Sequence, residues 1–476
     1  MIQPPGADAP SQPNFLPKFF AVLAIVFGTG MVFFTPPFQV ADEFWHFYRA
    51  YQISLGQWVS RSGDNTRGGV LPVSLLELSG RFSGLPFHQT EKTSPAKILD
   101  AGKIRLRPNV TTFVHFPSSA NYSPLVYAPQ AMGIMAGRAA GLGPLGIFYC
   151  GREAAVLAWA VAGFFTLRLA PALRAAILLL LCMPMSLELA ASFSADCVTN
   201  SVCMLFTAAL WRLSALKPDP SDQISLPGKL ALLALSVAVT LSKFAYLPLI
   251  ALVLLIPIAR FGGRRHCERF VAAIFAINIL ASLGWLSQTT GLTVPLRPEQ
   301  ADISAARQLD FVRHHPLAVP AVIARGFEHD GILIVRSFIA MLGWLDVPGS
   351  WWFIAIYWLA LIAACQPAAG DPPAPSAWKM GVVAASALTS VIIFAFLNYL
   401  IWTEVGTDHV KGIQGRYFIP LSVAGAMLVW SVLRRSHRLM RAPRNARRFE
   451  LFAAAFCLFS GFYTFYLIFG RYYAAG

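Results

Sequence analysis

The sequence predicts an all-α membrane protein, one integral membrane domain over residues 1–476 with about eleven transmembrane helices, roughly ten to thirteen. Two observations carry this. Hydrophobic residues make up 56% of the chain and charged residues 13%, well below the roughly 25% of a soluble domain, and the apolar residues fall in long runs. A third observation orients the chain: seven of its arginines sit in "RRSHRLMRAPRNARR" (434–448), between two apolar segments. The formal charge of +15 is therefore a topology signal that keeps company with anionic lipid and does not call for nucleic acid.

Taken in order, spans are expected at 17–36, 148–168, 174–190, 193–213, 227–241, 243–259, 266–288, 350–366, 379–401, 415–433 and 449–470. The segments 122–141 and 331–344 are shorter or more interrupted. With the arginine-rich loop cytoplasmic, "RFGGRR" (260–265) and "RLAPALR" (168–174) are also cytoplasmic only if neither segment crosses. Both are therefore expected as juxtamembrane or re-entrant helices. This parity leaves 37–147 as a large extracytoplasmic loop containing juxtamembrane helices and 289–349 as a second extracytoplasmic loop. The first residues lack a basic region and a cleavage site, so the first span is expected as an uncleaved anchor. Seven cysteines lie in or beside apolar segments without a CxxC pair, a pattern that predicts neither a disulfide framework nor a structural zinc.

Chemistry concentrates in "FFTPPFQVADEFWHFYRAYQ" (33–52). Pro36 and Pro37 end the first span, because proline lacks the amide hydrogen and restrains its predecessor. A helix then starts near Ala41 and stops at Gly56, with Phe44, Phe47, Tyr48, Tyr51 and Leu55 forming a stripe suited to the headgroup layer. Asp42, Glu43, His46 and Arg49 occupy the other face. Acids in a first helical turn are favoured by about 0.3–1 kcal/mol through the helix dipole alone. A base, a titratable imidazole and a cation where a lipid-borne substrate meets water make the catalytic reading the stronger one. Asp42 and His46 at i, i+4, with Glu43 beside them, also allow a divalent cation such as magnesium or manganese.

The same parity puts Arg152, Asp196, Lys243, Asp346 and Arg416 on the outer side with Asp42 and Glu43. Each alone reads as a snorkelling cation or a helix cap. Together they predict a charged cavity, since intramembrane charge usually faces the protein interior. Cations beside acids suit a phosphate headgroup next to a base.

The ordered set "TPPFQVADEFWHFYRAYQISLG", "YSPLVYAPQAMG", "PMSLELAASFSADCVTNSV", "KFAYLPL", "LGWLDVP" and "GIQGRYFIPL" resembles domain of unknown function 2142, a bacterial membrane family associated with surface polysaccharide synthesis. That family is similar to the GT-C superfamily of integral membrane glycosyltransferases. The resemblance implies a GT-C-like fold in the bacterial inner membrane, an acidic motif in the first outer loop, and a polyprenyl-phosphate sugar donor used on the extracytoplasmic side. Asp42 and Glu43 match the acidic position, and Arg416 with Tyr417 match the "QGRY" element. Phe44 stands where the family usually has proline, and Trp45 where a small residue is common.

The expected function is inverting glycosyl transfer to a glycan or lipid-linked acceptor, with Asp42 or Glu43 as base and His46, Arg49, Arg152, Asp196, Lys243, Asp346, Arg416 and Tyr417 around the donor phosphate. A transporter or flippase of lipid-linked saccharide, or a non-catalytic polysaccharide assembly subunit, would use such a cavity differently. A transporter would place its site near the midplane between internal repeats, and none is visible.

Overall fold

A computed structural model describes residues 15–63, 66–215, 223–289, 302–368, 371–436 and 446–474. The start of the chain up to 14, most of the arginine-rich 434–448 loop, the middle of the 214–226 loop, and 290–301 of the 289–349 loop lie outside the described residues. The chain is mostly helical. Among the described residues, six helical segments are long and apolar enough to cross a membrane: α1 (Phe15–Phe34), α6 (Pro144–Leu169), α11 (Arg264–Thr289), α16 (Ala377–Ile401), the 3₁₀ turn Gly415–Leu421 continued by α17 (Ser422–Arg435), and α18 (Ala446–Tyr472). A seventh arises if α7 (Arg174–Cys182) and α8 (Pro184–Ala190), bent by 68° at their junction, count as one.

The difference from eleven has local causes. Pro184 breaks the 174–190 segment, and Pro248 lies inside a 3₁₀ stretch of 12 residues, Phe244–Leu255. Helices α10 (Leu226–Ser242) and α15 (Trp351–Ala364) have 17 and 14 residues. The segment at 193–213 forms α9 (Asp196–Ala215), 20 residues long but interrupted by polar side chains. The 122–141 and 331–344 segments form short helices, α5 (Ala128–Ala139) and α14 (Gly331–Ile339). α5 lies close along α6 because Gly133 and Gly137 face it; a Cβ at Gly133 would collide with the Cys150 carbonyl.

Helices α7 and α8 are buried along their whole length and form the centre of the main core, with α1, α6, α9, α17 and α18 around them. The first loop builds a second core. Helix α2 (Glu43–Ser54) is enclosed by α3 (Val73–Gly80), α5, α6 and a three-stranded antiparallel sheet, β1 (Arg61–Gly63), β2 (Thr66–Pro72) and β3 (Thr111–His115), with Gly68 opposite His115 and Pro72 opposite Thr111. α4 (Pro95–Ala101) follows, capped by Ser94. The aromatic stripe of α2 thus does not lie on headgroups. Phe47 and Tyr51 are fully buried, packed among Phe38, Phe148, Phe193, Leu71 and Leu75, because the loop folds over them. The stop at Gly56 uses the left-handed conformation (φ +76°) that favours glycine. In the second loop, α12 (Ala305–His314), α13 (Val319–His329) and α14 pack on a small core of Val322, Tyr399, Val410 and Ile413, and β4 (Met341–Leu342) pairs with β5 (Val347–Pro348).

α11 is the most peripheral span, with only 11% of its apolar window buried. It is anchored by Asn278, which donates to Ser236 Oγ (2.9 Å) and the Ile274 carbonyl (2.7 Å) and accepts from Thr240 Oγ1 (2.7 Å). Intramembrane side-chain hydrogen bonds contribute about 0.6–2 kcal/mol. Asn278→Ala is expected to destabilise the purified protein by about 1 kcal/mol on this basis, read as a lowered unfolding temperature in detergent.

Candidate active site

The two adjacent acids have opposite fates. Glu43, at the first position of α2, has no exposed surface and forms a two-point pair with Arg152 of α6: Arg152 Nε to Glu43 Oε1 at 2.9 Å and Nη2 to Oε2 at 2.6 Å. Its Oε1 also accepts the Phe193 amide at 3.1 Å. The rest of the guanidinium donates to the carbonyls of Val32 (3.0 Å), Thr35 (2.8 Å) and Pro36 (3.2 Å), which the proline stop leaves without helical partners. Glu43 and Arg152 are therefore a strut between α1, α2, α6 and the approach to α9, leaving neither a base nor a phosphate cation.

Asp42 is the N-cap of α2 and adopts a left-handed conformation (φ 63°, ψ 8°) with no side-chain capping bond. Aspartate tolerates this region better than most residues, and such conformations cluster at functional sites. Its carboxylate is half-buried and within electrostatic range of Arg416.

Arg416 gathers the rest. It starts the 3₁₀ turn that leads into α17, and its charge is also felt by Asp196 and His46. Asp196, at the first turn of α9, accepts from Lys243 Nζ at 2.8 Å. Lys243 ends α10 and lies 5.0 Å from the Tyr417 ring centre and 5.8 Å from that of Tyr122. The Arg416 guanidinium lies 5.3 Å from the Tyr417 ring centre. Tyr246 fixes this turn by donating to the Tyr417 carbonyl at 2.7 Å. Arg416 Nε is buried and has no hydrogen-bond partner among the described residues. A charged donor left unpaired in a dry site is costly, so it is a natural place for a ligand's acceptor atom.

His46 sits one turn after Asp42, its Nδ1 2.6 Å from Tyr127 Oη. Burial drives its pKa down to about 3, with Arg416 and Lys243 also lowering it and Asp196 opposing. The imidazole is thus neutral near pH 7, a hydrogen-bonding group and not a cation. Arg49 is spent on structure: it donates to Gln52 Oε1 (2.6 Å) and the carbonyls of Trp58 (2.6 Å) and Tyr122 (3.1 Å), holding the Tyr122 segment in place. Asp346 binds Arg471 Nε at 2.7 Å, and Arg471 also donates to the carbonyls of Leu85 and His88, clasping the first loop to α18.

The structure thus brings Asp42, His46, Asp196, Lys243, Arg416 and Tyr417 together and assigns Glu43, Arg152, Arg49 and Asp346 to fixed pairs. The metal set of Asp42, Glu43 and His46 does not form: Glu43 turns to Arg152, His46 Nδ1 faces Tyr127, and no three His, Cys, Asp or Glu side chains gather among the described residues. Sequence reading missed Tyr246, Glu188 and Asn200, the last with a buried Oδ1 that has no hydrogen-bond partner among the described residues, one turn beyond Asp196. The signal for Glu188 was present, as a lone acid inside an apolar run.

A family model described as "Predicted membrane protein (DUF2142)" matches residues 25–424. No curated protein and no solved structure matches the chain.

Two outcomes follow from the geometry. Removing one partner of a buried ion pair costs about 3–5 kcal/mol, so Glu43→Gln should lower the unfolding temperature sharply, and by more than Asp42→Asn at the half-buried neighbouring position. For His46 the folded pKa lies below the unfolded value of 6.5, so the unfolded state binds more protons between pH 6.5 and about 3. Stability is lost as pH falls through that window, by up to about 1.4 kcal/mol per pH unit from this group. Unfolding temperatures measured at pH 7.5 and pH 5 should fall less in His46→Gln than in wild type.

Proposed function

The chain belongs to the DUF2142 family of predicted membrane proteins, and on that premise we propose that it is a glycosyltransferase that uses a polyprenyl-phosphate sugar on the extracytoplasmic side of the bacterial inner membrane. What supports this reading is that Asp42, in a left-handed cap, lies within electrostatic range of Arg416, whose buried Nε has no hydrogen-bond partner among the described residues, and that Arg416 and Lys243 both act on His46 one turn further on. A base and two cations in one place suit the displacement of a phosphate leaving group.

In the proposed reaction Asp42 takes the proton of an acceptor hydroxyl on a glycan or lipid-linked glycan. The hydroxyl oxygen attacks the anomeric carbon, and the bond from that carbon to the phosphate oxygen breaks with inversion. The electron pair leaves with polyprenyl phosphate, whose charge meets Arg416 and Lys243. Asp196 keeps Lys243 charged and oriented, and neutral His46 offers a hydrogen bond without adding charge. Tyr417 and Tyr122 present ring faces to the lysine.

The finer topology belongs to the same proposal. Counted as membrane-crossing, α9, α10, the 244–255 stretch and α15 join the six long spans and the bent pair to make eleven. This count leaves 37–147 and 289–349 outside, with Asp42, Asp196, Lys243 and Arg416 at one level. Asn109 is exposed in the first loop, so a cysteine placed there should react with a membrane-impermeant maleimide applied to intact cells. Labelling only after lysis would invert the topology.

A positioned base contributes a factor on the order of 10² to 10⁴ in rate. Asp42→Asn should therefore lose transfer by that margin while the protein reaches the membrane at wild-type level. The assay is release of polyprenyl phosphate from a lipid-linked sugar by purified protein. Release that requires acceptor supports transfer; movement of intact lipid-linked sugar without release favours a flippase.

A further inference from the structure

The first loop is tied to α2 at two neighbouring points. Pro124–Tyr127 form a 3₁₀ turn opened by Ser123, whose Oγ accepts the Leu125 amide at 3.3 Å. Tyr127 ends this turn, and its hydroxyl lies 2.6 Å from Nδ1 of His46. One turn further along the same helix, Arg49 donates to the Tyr122 carbonyl at 3.1 Å. Positions i and i+3 share one helix face, so α2 grips the 122–127 segment at both of its ends.

The direction of the Tyr127–His46 bond follows from where hydrogens can sit. Tyr127 has no exposed surface, and burial raises its pKa well above the ordinary tyrosine value, so the hydroxyl keeps its proton near pH 7. Among the described residues, His46 Nδ1 is the hydrogen-bond partner of that hydroxyl. A hydrogen on Nδ1 would make the tyrosine the acceptor and leave its own O–H buried without a partner, which is the costly arrangement. With Tyr127 as donor, Nδ1 is bare and the one imidazole hydrogen is on Nε2. The ring also lies next to the site: the His46 and Tyr122 ring centres are 6.0 Å apart, Lys243 Nζ is 5.8 Å from the Tyr122 ring centre, and Lys243 donates to Asp196 at 2.8 Å.

We propose that Tyr127 is a positioning residue for His46: its hydroxyl donates to Nδ1 and holds the imidazole as the Nε2–H tautomer, a neutral donor for a phosphate oxygen of the bound substrate. A phosphate oxygen offers lone pairs, so this tautomer can bind it, whereas a bare Nε2 would set lone pair against lone pair. The consequence for binding rests on the donor-phosphate reading of the site; the tautomer itself does not. Tyr127 acts through His46.

The test uses the full-length protein in lipid bilayers, isotopically labelled at the histidine nitrogens, with solid-state NMR near pH 7 and farnesyl phosphate as probe. The His46 signals are those absent from His46→Gln. Wild type should show one His46 tautomer, with hydrogen on Nε2 and a bare Nδ1 whose shift is that of a hydrogen-bond acceptor. Tyr127→Phe keeps the ring and removes only the hydroxyl, and the acceptor shift at Nδ1 should disappear. A hydrogen on Nδ1 in wild type, a doubly protonated ring, or an unchanged Nδ1 signal in Tyr127→Phe overturns the inference. Should Tyr127→Phe fail to fold, the wild-type tautomer decides by itself. Farnesyl phosphate should bind Tyr127→Phe about fivefold more weakly, the scale of one ordinary hydrogen bond, and should bind the double variant no more weakly than His46→Gln alone. Unchanged binding in Tyr127→Phe, or an equal loss with and without His46, overturns the positioning role. If wild type does not bind farnesyl phosphate, the donor reading fails, and the nitrogen signals of the ligand-free protein decide the tautomer alone.

Discussion

The fold around the site depends on one buried ion pair. Arg152 closes the end of α1 by donating to the Val32 carbonyl in its last turn and to the Thr35 and Pro36 carbonyls just beyond it, and Glu43 opens α2 while accepting from Arg152 and from the Phe193 amide ahead of α9. A cation at a helix C-terminus and an acid at the next N-terminus each suit the local dipole. The pair takes up groups that two closely spaced prolines would otherwise leave unpaired in a dry interior. Burying two full charges requires that every lone pair and proton be engaged, and five hydrogen bonds from one guanidinium meet that demand. Once Glu43 is fixed, its neighbour Asp42 has little freedom left, and the chain reaches the start of α2 through a left-handed residue.

Charge in this protein therefore divides into two kinds. Glu43 with Arg152 and Asp346 with Arg471 join elements distant in sequence as fixed ion pairs, and Arg49 holds the carbonyls of Trp58 and Tyr122. Arg416 and Glu188 each retain one buried polar atom, Nε and Oε2, without a hydrogen-bond partner among the described residues. Asp196 and Lys243 stand between the classes, since their bond is short but sits beside the rings of Tyr122 and Tyr417.

Much of this was legible in the sequence, and the remainder has identifiable causes. Long apolar runs at α1, α6, α11, α16 and α18 gave their helices directly, because their length exceeds what any soluble core needs. Parity and the positive-inside rule grouped Asp42 with Asp196, Lys243 and Arg416, although nothing local to any of them indicates a site. Hydropathy could not foresee that Pro184 and Pro248 would shorten their segments, since apolar character persists across each break. The stripe on α2 misled for a related reason. An aromatic face says that a helix is covered, and only tertiary structure says whether lipid or a folded loop covers it; here Phe38, Phe148 and Phe193 fill that place. Neither could adjacency separate Asp42 from Glu43, because the distinction lies in the reach of Arg152 from α6.

That distinction carries the chemistry. Glutamate at 43 has the length to meet a guanidinium on another helix with both oxygens, and no left-handed backbone is asked of it. Aspartate at 42 has a short side chain that keeps the carboxylate close to the left-handed cap, a backbone conformation that aspartate tolerates better than most residues. Exchanging the two would shorten the strut and put a longer, less tolerant side chain in the left-handed position. The order acid-short then acid-long is thus dictated twice, once by the reach across to Arg152 and once by the backbone at the cap. In the proposed reaction the base is thus placed by the backbone that it shares with Glu43, whose own position is fixed by Arg152.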